Sequence, residues 1–194
     1  MSIPIPPSKP QAPVVKVLAA AEKQWRKDGK TGPLPAKFIL AVRAYYRDSM
    51  GEVGKNDLNQ YDDGFFIVDG DKMTSWNGNT DPVRYGWSAD ADGYMARLRT
   101  GCWKMRSRMH RNKYQAFGQD GRDVSVDRVK ADGTVAEVDT GSFGIDLHPG
   151  GVNTTSSLGC QTVPRDQWDD FNETALATFG GDWFDYILTD GPIN

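Results

Sequence analysis

From Phe65 to the end of the chain, apolar residues occur in short runs separated by Gly, Asn and Asp. Runs of this length are typical of β-strands, and Asp69-Gly70 and Asn77-Gly78 are dipeptides that favour tight turns. This pattern predicts a mainly β core. The predicted strands cover residues 65–68, 72–76, 102–109, 113–117, 124–129, 135–138, 144–147 and 183–188.

The N-terminal third has a different pattern, in which apolar residues recur at helical spacing. Residues 12–27 and 35–50 are predicted to form two helices that pair as an antiparallel hairpin. The aromatic stripe of the second helix is expected to pack on the core, with a cell-wall-binding face as the alternative. Pro164 is expected to begin a C-terminal helix. The predicted fold is therefore α+β, with a proline-rich extended arm over 1–13, the helical hairpin over 14–52 and a β-rich domain over 60–194.

The segment 144–164 carries one of the two histidines and one of the two cysteines of the chain. His148 and Cys160 lie twelve positions apart, separated by glycines and hydroxyl residues. A thiol needs a base to become a good nucleophile near neutral pH, and an imidazole supplies one. We therefore predict that Cys160 is a nucleophile and His148 its base, acting as an ion pair or by proton transfer during attack. Asp146 shares the strand face of His148 and is a candidate for orienting its ring.

The residues around Cys160 extend this prediction. Gly159 allows the backbone to approach a substrate closely, and the N–H groups of Gly159 and Cys160 are expected to bind a tetrahedral oxyanion. Ser157 is expected to steady the loop or touch the substrate, with a role as the nucleophile itself as the alternative. Gln161 either points into the site or packs beside it.

This segment resembles the catalytic region of the L,D-transpeptidases, the YkuD-like family. Ser157-Leu158-Gly159-Cys160 matches the Ser-x-Gly-Cys element of that family. Residues 145–148, followed by Gly150 and Gly151, match its His-Gly element with Pro149 inserted. Residues 100–103 are similar to the Gly-x-aromatic strand that precedes these elements. The chain departs from the family at Thr162, where an Arg or Asn is usual.

The resemblance implies an L,D-transpeptidase-like β core and a peptidoglycan-modifying enzyme. Cys160 would attack an L,D-peptide bond of the stem peptide and form a thioester, which water or an amine resolves. Gly150, Gly151 and Gln161 are the candidate substrate-binding residues of this segment, and the resemblance implies a backbone carbonyl as the partner of His148. It implies no cofactor and no metal. Similar elements occur in phage and prophage proteins, so we expect a phage origin, with a secreted antibacterial effector as the second option.

A basic stretch over residues 94–119 contains seven Lys and Arg residues and no acidic residue. On a regular strand, Lys104, Arg106, Arg108 and His110 share one face. Arg106 and its neighbours on this face are candidates for binding stem-peptide carboxylates. The alternative is a solvated face balanced by acidic residues between positions 120 and 146.

Composition excludes several other functions. The net charge is −3 and no nucleic-acid-binding motif is present, so nucleic acid is not an expected partner. No apolar run reaches the ~20 residues that a membrane helix needs, and two cysteines form neither a disulfide framework nor a zinc-binding spacing.

The N-terminus lacks the features of a signal peptide. We therefore expect a monomer made in the cytoplasm that reaches the cell wall after lysis or by specialised export. A non-catalytic wall-binding or virion-associated protein, and a cysteine amidase or peptidase with another substrate, are the alternatives.

Overall fold

The computed structural model describes residues 2–81, 95–130 and 133–193. Within these residues the chain forms two helices and eleven strands, so the predicted mainly β fold is confirmed at that level. The helices are α1 (Val14–Lys27) and α2 (Arg165–Phe179). The strands are β1 (Lys37–Arg43), β2 (Asp63–Asp69), β3 (Lys72–Gly78), β4 (Met95–Leu98), β5 (Gly101–His110), β6 (Tyr114–Gly118), β7 (Val124–Val129), β8 (Val135–Gly141), β9 (Asp146–Pro149), β10 (Gln161–Val163) and β11 (Phe184–Asp190).

Eight of these strands form one curved sheet in the order β10-β9-β6-β5-β11-β1-β2-β3. Its two edges meet at a single antiparallel bridge, in which the N–H of Asn79 donates to the carbonyl of Thr162 and the N–H of Thr162 donates back, both at 2.8 Å. The sheet is therefore nearly closed. A smaller sheet of order β4-β7-β8 lies beside it. The bridge at Thr162 also fixes the backbone two residues after Cys160.

The two faces of the large sheet bury two different sets of apolar side chains, because successive residues of a strand point to opposite faces. On β1, Ile39 and Ala41 pack in the cluster that includes Trp168 and Phe171 of α2. The alternate residues Phe38, Leu40 and Val42 pack in a second cluster, with Val17 and Ala21 of α1. The sheet is thus sandwiched between the two helices. Neither helix in the described ranges is long and apolar enough to cross a membrane.

The prediction of a second N-terminal helix over 35–50 is wrong. Residues 37–43 form β1, which pairs in parallel with β11 and antiparallel with β2. Phe38 to Arg43 are all buried, so the strand has no polar face that would give the alternation of a half-exposed strand. A continuous apolar run of this kind fits helical spacing equally well. The expected helical hairpin is therefore one helix followed by a central strand.

The proline-rich segment before α1 is extended, and it packs against the domain. Its backbone is held by hydrogen bonds from Tyr46 to Ser8 and from Ser75 to Pro10, both at 2.7 Å. The Lys9 ammonium lies 2.8 Å from the Asp170 carboxylate of α2. This arm therefore joins β3 and α2 along one side of the domain.

Candidate active site

Cys160 and His148 open into one cavity of about 680 Å³. The cavity lies where the ends of β5, β9 and β10 come together, beside the N-terminal end of α2 and the edge strand β4. Besides these two residues, its lining includes His110, Tyr114, Asp146, Ser156, Arg108, Arg111 and Arg165. A concave site with several convergent polar groups is the usual form of a small-ligand or active site.

His148 is held by β9 with one ring nitrogen already engaged. Its Nδ1 lies 2.9 Å from the carbonyl oxygen of Pro149, and because a carbonyl only accepts, Nδ1 carries the proton. Nε2 is then the basic nitrogen. Burial lowers the pKa of His148 to about 4, against the opposing effect of the hydrogen bond to Pro149. The imidazole is therefore neutral at pH 7 and able to accept a proton.

Cys160 is placed beside His148 by the pairing of two short strands. β10 begins one residue after Cys160 and pairs in parallel with β9, so that Thr162 lies opposite His148. The Cys160 sulfur lies 3.6 Å from the carbonyl oxygen of Gly144. Burial raises the pKa of the Cys160 thiol to about 11. The sequence leaves open whether Cys160 and His148 form an ion pair before attack or transfer the proton during attack. The lowered pKa of His148 and the raised pKa of Cys160 favour proton transfer during attack.

His110 is a member of the site for which the sequence analysis predicted no catalytic role. It ends β5, and its ring centroid lies 4.6 Å from that of His148. One ring nitrogen of each histidine and the Cys160 sulfur all lie within 4.8 Å of one another. The two histidines of the chain are 38 positions apart in sequence, and only the pairing of β5 with β6 and of β6 with β9 brings them together.

Asp146 orients His110. Its Oδ2 lies 2.7 Å from Nδ1 of His110, and its Oδ1 lies 3.4 Å from the Arg108 guanidinium. Burial raises the pKa of Asp146, although the hydrogen bond from His110 and the charge of Arg108 oppose this effect. The partner of His148 is instead the Pro149 carbonyl. Asp146 was a candidate for orienting His148 because strand alternation puts the two residues on one face. Asp146 does line the cavity, but its hydrogen bond is to His110.

Ser157 lies beneath the loop that carries Cys160. Its hydroxyl donates to the carbonyl of Cys160 and accepts from the N–H of Gly159 at 3.1 Å. In this arrangement the Gly159 N–H points at Ser157, so using it as an oxyanion donor would require that hydrogen bond to be exchanged. Gly159 is also packed tightly, since a Cβ there would lie 2.8 Å from the Ala96 carbonyl oxygen of β4.

The three candidate substrate-binding residues of this segment lie outside the lining of the cavity. Gln161 is buried, donates to the Thr80 carbonyl at 3.2 Å and accepts from the Tyr186 hydroxyl at 2.9 Å. Tyr61 covers Gly150 and donates to the carbonyl of Gly151 at 2.7 Å. None of Gln161, Gly150 and Gly151 is among the residues that line the cavity.

The basic face of β5 is divided between ion pairs and the cavity. Arg106 lies 3.5 Å from Asp120 and stacks over Trp183, outside the cavity. Arg108 reaches the cavity from the same face. Two further arginines, Arg111 and Arg165, also line the cavity but lie outside this strand. Among the described residues, no acidic side chain lies within ion-pair distance of either one. Of these three arginines, Arg108 and Arg111 belong to the basic stretch over 94–119, and Arg165 at the start of α2 is the one that the sequence pattern did not single out.

The chain matches no family model, and it has no significant match among curated proteins or solved structures.

Proposed function

We propose that this protein is a cysteine enzyme that cleaves or transfers at an L,D-peptide bond of the peptidoglycan stem peptide. The observation that carries the proposal is the meeting of Cys160 and His148 in one cavity, with Nδ1 of His148 held by Pro149 and Nε2 left available as the base. A thiol beside an oriented imidazole is the arrangement that covalent acyl transfer requires. The Ser-x-Gly-Cys element over 157–160 supports the choice of substrate.

The reaction follows from the two protonation states. The Cys160 sulfur attacks the carbonyl carbon while its proton passes to Nε2 of His148, giving a tetrahedral oxyanion. When the intermediate collapses, the C–N bond breaks and His148 returns the proton to the departing amine. The thioester on Cys160 is then attacked by water or by a second amine, which releases the product and restores the thiol.

Arginines of the cavity are suited to hold the substrate. Stem peptides carry carboxylates, and guanidinium groups bind carboxylates through paired hydrogen bonds. Arg111 and Arg165 line the cavity and have no acidic partner among the described residues. They would supply the carboxylate recognition that the family usually gives to the Arg or Asn at position 162, where this chain has a buried Thr. We therefore place the carboxylate-bearing end of the substrate toward these two arginines.

Mass spectrometry of purified muropeptides incubated with the protein tests the proposal. We expect loss of the D-residue, or its exchange for a free amine, in the wild type and in Cys102→Ser. Cys102 is the matched control because it is the other free cysteine and lies outside the cavity. The activity should disappear in Cys160→Ala.

Two other results would contradict the proposal. Cleavage at a different bond that still needs Cys160 would identify a cysteine amidase or peptidase. Unchanged muropeptides, together with cell-wall binding that survives Cys160→Ala, would identify a non-catalytic wall-binding protein.

A further inference from the structure

We propose that His110, His148 and Cys160 together bind a divalent transition metal ion, with Zn²⁺ as the preferred occupant. The proposal does not depend on the proposed function, because it concerns how the site coordinates an ion. It differs from the expectation drawn from the sequence, in which neither histidine spacing nor cysteine spacing predicts a metal.

The three ligand atoms lie close enough together to bind one metal ion. One nitrogen from each ring and the Cys160 sulfur all lie within 4.8 Å of one another. Zn–N bonds of about 2.0–2.1 Å and a Zn–S bond of about 2.3 Å at tetrahedral angles place such ligand atoms roughly 3.3–3.7 Å apart. The limit of 4.8 Å exceeds these separations by about 1.1–1.5 Å, so the three ligands need to approach by at most about that amount. Imidazole nitrogen and thiolate sulfur are the ligands that zinc prefers.

The hydrogen-bond partners of the two histidines are also those of metal-binding histidines. Histidines that bind metals through one nitrogen almost always donate the other N–H to a carboxylate or a backbone carbonyl. His110 has the first kind of partner, Asp146 at 2.7 Å, and His148 has the second, the Pro149 carbonyl at 2.9 Å. Both bonds use Nδ1, so both histidines present Nε2. Asp146 also adds a negative charge behind the site, which offsets the nearby Arg108.

Among the described residues, three side chains can bind the ion, and the site opens into the cavity. A zinc ion held in this way keeps a fourth position for water or an anionic ligand. The ion would occupy both the Cys160 sulfur and Nε2 of His148, which are the atoms that acyl transfer needs. Metal binding and attack by the thiol are therefore mutually exclusive, and zinc should act as a reversible inhibitor of any reaction that uses this thiol.

Titration of chelator-treated, reduced protein with Co²⁺ tests the coordination directly. We expect one Co²⁺ per chain, with a sulfur-to-cobalt charge-transfer band and the intense visible bands of a four-coordinate ion. Binding of Co²⁺ should release about one proton from the thiol, and equimolar Zn²⁺ should then displace the cobalt without further proton release. Cys102→Ser should bind as the wild type does, while Cys160→Ser should lose the charge-transfer band.

Asp146→Asn provides the more specific variant. Loss of a partner behind a ligating histidine weakens metal binding by about 10- to 100-fold, so the Zn²⁺ dissociation constant should rise by that factor while circular dichroism reports an intact fold. Substoichiometric cobalt, a six-coordinate spectrum without sulfur bands, or equal affinity in Asp146→Asn would each overturn the proposal. If the metal-free protein is inactive toward muropeptides, the proposed function is refuted, but the evidence for metal binding from the titration is unaffected.

Discussion

Replacing His148 with Gln should remove a defined part of the acid sensitivity of folding. Burial lowers the pKa of His148 to about 4, whereas an unfolded histidine titrates near about 6.5. Between these values the unfolded chain binds a proton that the folded protein does not, so the free energy of unfolding falls as the pH falls. At about 1.36 kcal/mol per pH unit, the full difference amounts to about 3 kcal/mol. His148 is only 4% exposed, so solvent screening reduces this value little.

Urea unfolding of metal-free protein at several pH values measures the effect. From pH 7.5 to pH 4, the wild type should lose about 3 kcal/mol more stability than His148→Gln, because the other titrating groups are shared and cancel in the comparison. Between pH 7.5 and 8.5 the two proteins should respond equally, which serves as the internal control. Parallel losses of stability down to pH 4 would refute the account of a buried, neutral His148.

Two further substitutions and one alkylation experiment test other parts of the structure. Gly118→Ala places a Cβ 1.8 Å from Oδ1 of Asp146, so it should displace that carboxylate and weaken cobalt binding about as much as Asp146→Asn does, by the same titration. Arg43→Met removes the guanidinium that lies 3.3 Å from the fully buried Asp81, and urea unfolding should show a loss of about 3–5 kcal/mol, since a buried charge loses its partner. Alkylation of Cys160 by iodoacetamide should accelerate with pH until about pH 11, whereas a rate already level at pH 7 would reveal a preformed thiolate.

Most strands could be predicted because their residues alternate or are bounded by turn residues. β7 has the predicted bounds, and the predicted strands over 65–68 and 72–76 lie within β2 and β3. β10 was missed because three residues carry no periodicity, although it anchors the chain after Cys160. β1 was mistaken for a helix because a strand buried on both faces shows no alternation.

The candidate site was predictable in part. The spacing of His148 and Cys160 on either side of a glycine-rich loop indicated a pair, and the structure places both in one cavity. The contributions of His110 and Arg165 could not be read from the sequence, because they depend on strand register and on how α2 packs beside β9 and β10. Asp146 illustrates the same limit, since strand alternation places it on the correct face but cannot tell which of two histidines it contacts.

The catalytic role of Cys160 is tested most directly by the intact mass of the protein, acid-quenched at short times after mixing with a purified tetrapeptide muropeptide. We expect a transient adduct on Cys160, whose added mass equals the mass of the substrate minus that of the departing D-amino acid. The adduct should be absent in Cys160→Ala and should form more slowly in His148→Ala. A substrate that is cleaved without an adduct at any time, by a protein whose Cys160→Ala variant is equally active, would contradict the account.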